Sequence, residues 1–212
     1  MIDYAYNVII IIIGFTLFAL SHSLLASFKI KKIIADRFGT YMAYYRLLYN
    51  IISFISFALL IWFLPKPDLI IYDLENPYDI LILIPQFLSL AGIIWSLRYI
   101  STREFLGIEQ LRRWFNNQYD EKELDEKMTL VIEGPYKYMR HPILFFGGMF
   151  LILRPVMSLF YLTCLICIIL YIYIGSFYEE KRLIEKFGER YIKYQKEVPR
   201  FFPVRLFNFK GD

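Results

Sequence analysis

Four apolar runs of close to twenty residues decide what this chain can fold into. They are Tyr6–Leu25, Leu47–Leu64, Ile80–Leu97 and Ser158–Tyr178. A helix rises about 1.5 Å per residue, so each run can cross the roughly 30 Å hydrocarbon core of a bilayer. Hydrophobic residues make up 58% of the 212, above the ~45–50% of a soluble domain. In lipid every backbone N–H and C=O must be satisfied within the element, which here predicts helices. The expected fold is therefore all-α, a polytopic membrane helix bundle forming a single integral-membrane domain over residues 1–212. Its parts are three N-terminal spans (1–97), a polar segment (98–141), a helical hairpin (142–178) and a C-terminal helix and tail (179–212).

A fifth apolar stretch, Pro142–Leu153, has twelve residues and reaches only about 18 Å as a helix. Arg154-Pro155 then turns the chain into the last run, so this stretch is one arm of a tight hairpin. Five membrane segments result, and Arg140 and His141 fall at or just inside the membrane face. The first run is expected to be a span and not a cleaved signal, since no basic region precedes it and no small-x-small site closes it. Asp79 is expected to cap the third span and Pro85 to kink it. After Tyr178, the residues Leu183, Phe187, Tyr191, Tyr194 and Val198 recur at helical spacing, predicting an amphipathic helix ended by Pro199.

Basic residues set the orientation. Segments 26–46 and 98–141 and the tail after Tyr178 hold 22 of the 24 lysines and arginines; Lys66 and Arg154 hold the other side. This places the N-terminus outside and the C-terminus in the cytoplasm. The net charge of +4 thus reflects membrane orientation, with no nucleic-acid partner expected. Segment 98–133 mixes both signs and reads as a solvated helix and loop. Cys164 and Cys167 lie in an apolar run and read as buried side chains on one helix face, and no metal is expected.

Chemistry concentrates in Gly134–Pro142, whose nine residues include two prolines, two tyrosines, Lys137, Arg140 and His141. Unpaired polar groups at membrane depth are costly and usually functional. Pro142 suits a helix start, and helix starts with a nearby arginine favour anionic groups such as carboxylates. Glu179 and Glu180 follow the last span; adjacent helical residues point about 100° apart, so one of them is expected to face a pocket. His22, in Ser21-His22-Ser23 near the inner end of the first span, is a candidate proton acceptor or interhelical hydrogen-bonding group. Walker, Gly-x-Gly-x-x-Gly and His-Glu-x-x-His patterns are absent, and nothing alternates as strand and helix.

The run Leu130–Pro142, a short hairpin, and then Glu179-Glu180-x-x-Leu183, Phe187-Gly188-Glu189-x-Tyr191-x-x-Tyr194 and Val198-Pro199 resembles the isoprenylcysteine carboxyl methyltransferase and phospholipid methyltransferase superfamily. Ser21–Ser27 and Glu104–Gln110 are more similar to its NnrU-like and methanethiol S-methyltransferase branch. The resemblance implies an integral-membrane enzyme using S-adenosylmethionine from the cytosol, with a lipophilic or small-molecule acceptor entering from the bilayer among the membrane lipids. By position, Tyr136, Arg140, His141 and Pro142 would line the cofactor pocket, closed by Glu179 or Glu180, with His22 and Glu180 as candidate catalytic groups. The sequence departs from the pattern at Leu144, where the family has tyrosine, and at Glu197, where carboxyl methyltransferases have arginine; Arg200 follows just beyond. The expected function is methyl transfer to a thiol or carboxylate. The alternatives are a phospholipid-amine N-methyltransferase and a non-enzymatic NnrU-like accessory protein.

Overall fold

The computed structural model describes residues 2–120, 124 and 126–202. The tail beyond 202, expected to be cytoplasmic, lies outside the described residues. In chain order the elements are α1 (Ile2–Ala26), α2 (Phe28–Phe38), a 3-10 segment (Gly39–Tyr44), α3 (Tyr45–Phe63), β1 (Ile70–Asp73), α4 (Tyr78–Leu81), α5 (Leu83–Leu97), α6 (Thr102–Leu106), α7 (Ile108–Phe115), a 3-10 turn (Gly134–Lys137), α8 (Pro142–Ile152), β2 (Val156–Ser158), α9 (Leu159–Phe187) and α10 (Glu189–Glu197). Four helical stretches are long and apolar enough to cross a membrane, and Pro142–Ile152 is a shorter apolar helix. The expected all-α membrane bundle is what forms. Phe54 and Trp62 on α3 are each 76% exposed, an arrangement stable in lipid and costly in water.

Two compact units are present, one of residues 1–66 and 101–128, the other of 67–100 and 129–212. In the first, α1 packs on α3, while α2 and α7 pack on the 3-10 segment between α2 and α3. The polar side of this unit is more enclosed than mixed charge alone predicts. Glu104 and Gln110 are buried; the Glu104 carboxylate is paired with Arg113 and accepts the Lys127 backbone N–H at 3.4 Å. Arg46 pairs with Glu126 at 2.9 Å and donates to the Phe105 carbonyl at 3.0 Å. Segment 98–133 keeps Arg103 and Arg112 exposed, as the solvated reading expects, and encloses only Glu104, Arg113 and Glu126, whose charges are paired.

In the second unit α5 packs along α8, with Gly92 against the Phe146 ring; a Cβ there would sit 2.5 Å from it. β1 pairs antiparallel with β2, joining the loop after α3 to the hairpin turn. This ribbon was not expected, since three or four residues give no readable alternation. Asp79 lies in the first turn of α4 instead of capping it, and accepts the Ile80 N–H at 2.8 Å. The break between α4 and α5 falls at Ile82, next to the Leu81 carbonyl that Pro85 cannot bond. The expected C-terminal amphipathic helix is also redistributed. α9 runs on through the polar block to Phe187, Gly188 breaks the helix at φ 55°, and α10 takes the remainder.

Candidate active site

The site grows from Gly134–Pro142. Gly134 has φ +55°, and a Cβ there would meet the Tyr99 ring at 2.3 Å, so only glycine lets this turn lie against α5's end. The turn leads to His141, the N-cap of α8, and Pro142 at its first position, as expected. From the other side, α9 brings Glu180 to the same point, 97% buried. Of the two adjacent glutamates, Glu180 faces inward, while Glu179 keeps a half-exposed side chain with Oε2 3.5 Å from His141 Nδ1.

Glu180 is the hub. Its Oε1 accepts from Arg140 Nε at 2.7 Å, His141 Nε2 at 3.1 Å and Arg200 Nε at 3.2 Å. Its Oε2 accepts from Arg200 Nη2 at 2.7 Å and Gln195 Nε2 at 2.9 Å. Charge-assisted bonds of this kind are roughly twice as strong as neutral ones. Since an ionised carboxylate only accepts, His141 Nε2 is the donor in its bond to Glu180.

The segment after α10 closes over this hub. Backbone N–H groups of Arg140 and His141 donate to the carbonyls of Pro199 (2.9 Å) and Arg200 (3.0 Å). Arg140 Nη1 also donates to the carbonyls of Gln195 (3.1 Å) and Val198. The Arg200 guanidinium lies 3.8 Å over the Phe177 ring, and Phe201 tilts against His141 at 5.7 Å. Tyr194 donates its hydroxyl to the Tyr136 carbonyl at 2.6 Å. Burial, with the Glu179 charge second, pushes the Tyr136 phenol up to about 12. Burial likewise raises Tyr191 and Tyr194, so all three phenols stay neutral near pH 7.

Tyr136, Arg140, His141, Pro142, Glu179 and Glu180 are thus gathered in one unit. His22 belongs to the other unit, in α1. Its Nε2 is 2.7 Å from the Tyr49 hydroxyl and its Nδ1 2.9 Å from Ser53 Oγ, with Phe18 stacked at 5.5 Å. Gln195 and Arg200 were not anticipated as site residues. The one available signal was the basic residue directly after Val198-Pro199, which stands near the missing arginine of the carboxyl methyltransferases. Gln195 carries no such signal, because its role depends on the turn at Gly188.

The donor set suits S-adenosylmethionine. Two guanidiniums surround one buried carboxylate at the start of α8, leaving positive charge suited to an amino-acid carboxylate. The more exposed Glu179 suits an ammonium or ribose hydroxyls.

Fold and site together define an α-helical integral-membrane protein with a buried ionic cluster at the start of a half-length hairpin. Methanethiol S-methyltransferase 1 of Bradyrhizobium diazoefficiens is 30% identical over 93% of this chain and 67% of its own length. The methanethiol S-methyltransferases of Crocosphaera subtropica and Pseudomonas deceptionensis are 27% and 28% identical, over 88% and 89% of this chain and 71% and 70% of theirs. No family model and no solved structure matches. The chain belongs to this family of membrane methyltransferases, of the isoprenylcysteine methyltransferase type.

Proposed function

We propose that the protein is an S-adenosylmethionine-dependent methyltransferase that methylates the sulfur of a small thiol. The observation that carries this is the gathering of Arg140, His141, Glu179 and Glu180 around the start of α8, in a chain whose relatives bear the name methanethiol S-methyltransferase. Glu197 in place of an arginine argues against a site built for a substrate carboxylate. When bound, the cofactor supplies an electrophilic methyl group on a sulfonium sulfur. Tyr136, Arg140, His141 and Pro142 would hold it, with Arg140 and Arg200 toward its carboxylate and Glu179 toward its polar hydrogens. Glu180 has its oxygens committed to protein donors, so its part is to keep the two guanidiniums and His141 in place.

Alignment and exclusion of water are the main requirements of such a transfer. The acceptor sulfur must also lose its proton, because the thiolate is the nucleophile. His22, the proton acceptor expected from the sequence, has both ring nitrogens in hydrogen-bond contact within its own unit, with Tyr49 and Ser53. Calorimetric titration of detergent-purified protein with S-adenosylmethionine tests the cofactor, with His141→Ala alongside; no binding by the native protein would sink the proposal. Transfer of a labelled methyl group to a panel of small thiols, prenylcysteines and aminolipids then tests the acceptor. Label on the aminolipid alone would replace the thiol reading with the phospholipid-amine one.

A further inference from the structure

The helix α2 is built inside out for a soluble protein. Phe28 (64%) and Ile33 (53%) are exposed, while Lys31 is only 3% exposed. Phe28, Lys29, Lys32, Ile33, Asp36 and Arg37 are all exposed, and at 100° per residue they occupy one continuous half of the helix, while the terminal Phe38, also exposed, lies off it. A helix facing water would bury the phenylalanine and isoleucine and leave the lysines outside. Here the outward half mixes apolar side chains with three basic ones, against one acidic residue.

What covers this face follows from the connections. Only Ser27 separates α2 from the end of the span α1. Ser27 caps α2 from an extended backbone, so the chain turns there. At the other end, the six-residue 3-10 segment Gly39–Tyr44, about 12 Å long, leads into the span α3. Tethered to a membrane span at both ends, α2 is confined to the interface between hydrocarbon and headgroups. Basic side chains beside apolar ones are what that layer accommodates: rings and branched chains enter the acyl boundary while lysine and arginine reach phosphates.

We infer that α2 is an interfacial helix whose Lys29, Lys32 and Arg37 bind the headgroups of anionic phospholipids. Phe28 and Ile33 set its depth, and buried Lys31 takes no part. This inference is independent of the proposed catalytic activity.

The test is lipid retention by the detergent-purified full chain, titrated with phosphatidylglycerol or phosphatidylcholine and read by native mass spectrometry. The native protein should prefer phosphatidylglycerol by at least about tenfold at low salt, given roughly fivefold per basic residue near an anionic surface. The preference should shrink as salt rises. Lys29→Gln/Lys32→Gln/Arg37→Gln should bring it close to unity, whereas Lys29→Arg/Lys32→Arg should retain it. An equal fall on removing Lys181 and Lys186 instead would show a bulk-charge effect and overturn the assignment. So would a triple glutamine variant that keeps both its native unfolding temperature and its lipid preference.

Discussion

Arg140 Nε lies 2.7 Å from Glu180 Oε1, joining residues forty positions apart through side chains that are 10% and 4% exposed. The same arginine reaches on to the Gln195 and Val198 carbonyls. One ion pair therefore ties the start of α8, the interior of α9 and the segment after α10.

Removing the shared carboxylate should cost more than removing any one partner. Glu180→Ala leaves two guanidiniums without a counter-ion in a buried setting, and breaking such a pair costs about 3–5 kcal/mol. Denaturant unfolding in detergent should show a loss of that order. Glu180→Gln, which keeps the shape and one acceptor oxygen, should lose less.

Arg200 is expected to act on cofactor affinity. Hydrogen bonds to charged groups are worth about 1.5–3 kcal/mol, so Arg200→Met should weaken S-adenosylmethionine binding by roughly 10- to 100-fold in calorimetry. Unchanged affinity with a lowered unfolding midpoint would reduce Arg200 to a purely structural clamp.

Helices were legible because burial in lipid needs only a long apolar run, and Arg140-His141-Pro142 and Glu179-Glu180 stood out as polar groups where such runs begin and end. What escaped depends on chain direction after a turn. Gly188 sends α10 back so that Gln195 and Arg200 meet Glu180, fifteen and twenty residues behind them. The Gly188 stop was visible as a glycine between Phe187 and Glu189, but hydrophobic periodicity continues across it. The β1–β2 pairing escaped for a related reason, since it is made by backbone groups that any side chain could accompany.

Gly134→Ala should destabilise the protein by about 1–3 kcal/mol, because the new methyl meets the Tyr99 ring at 2.3 Å and the backbone stays at φ +55°. Pairing it with Tyr99→Ala should recover only the steric part. Full recovery in an unfolding assay would show that the backbone conformation itself carries no strain.

Acid stability should depend on Glu104. Burial pushes its carboxyl up, but hydrogen bonds from Arg113 and the Lys127 N–H, with their charges, hold it below its ordinary 4.5. A depressed carboxyl contributes stability above its unfolded value, and this is lost as pH falls through the folded one. Melting curves should therefore weaken below about pH 4.5 in the native protein, and Glu104→Gln should flatten that acid limb at the expense of stability near neutrality.

The clamp formed by Arg200 also dates the site's assembly. Among the described residues, the four helices long and apolar enough to cross a membrane all precede this arginine, so they can insert while Glu180 still lacks a main counter-ion. The cluster around Glu180 is complete only once the segment after Gly188 has turned back onto it. A product truncated after Val198 should reach the membrane in normal amounts and yet bind cofactor poorly, which separates insertion from maturation within one polypeptide.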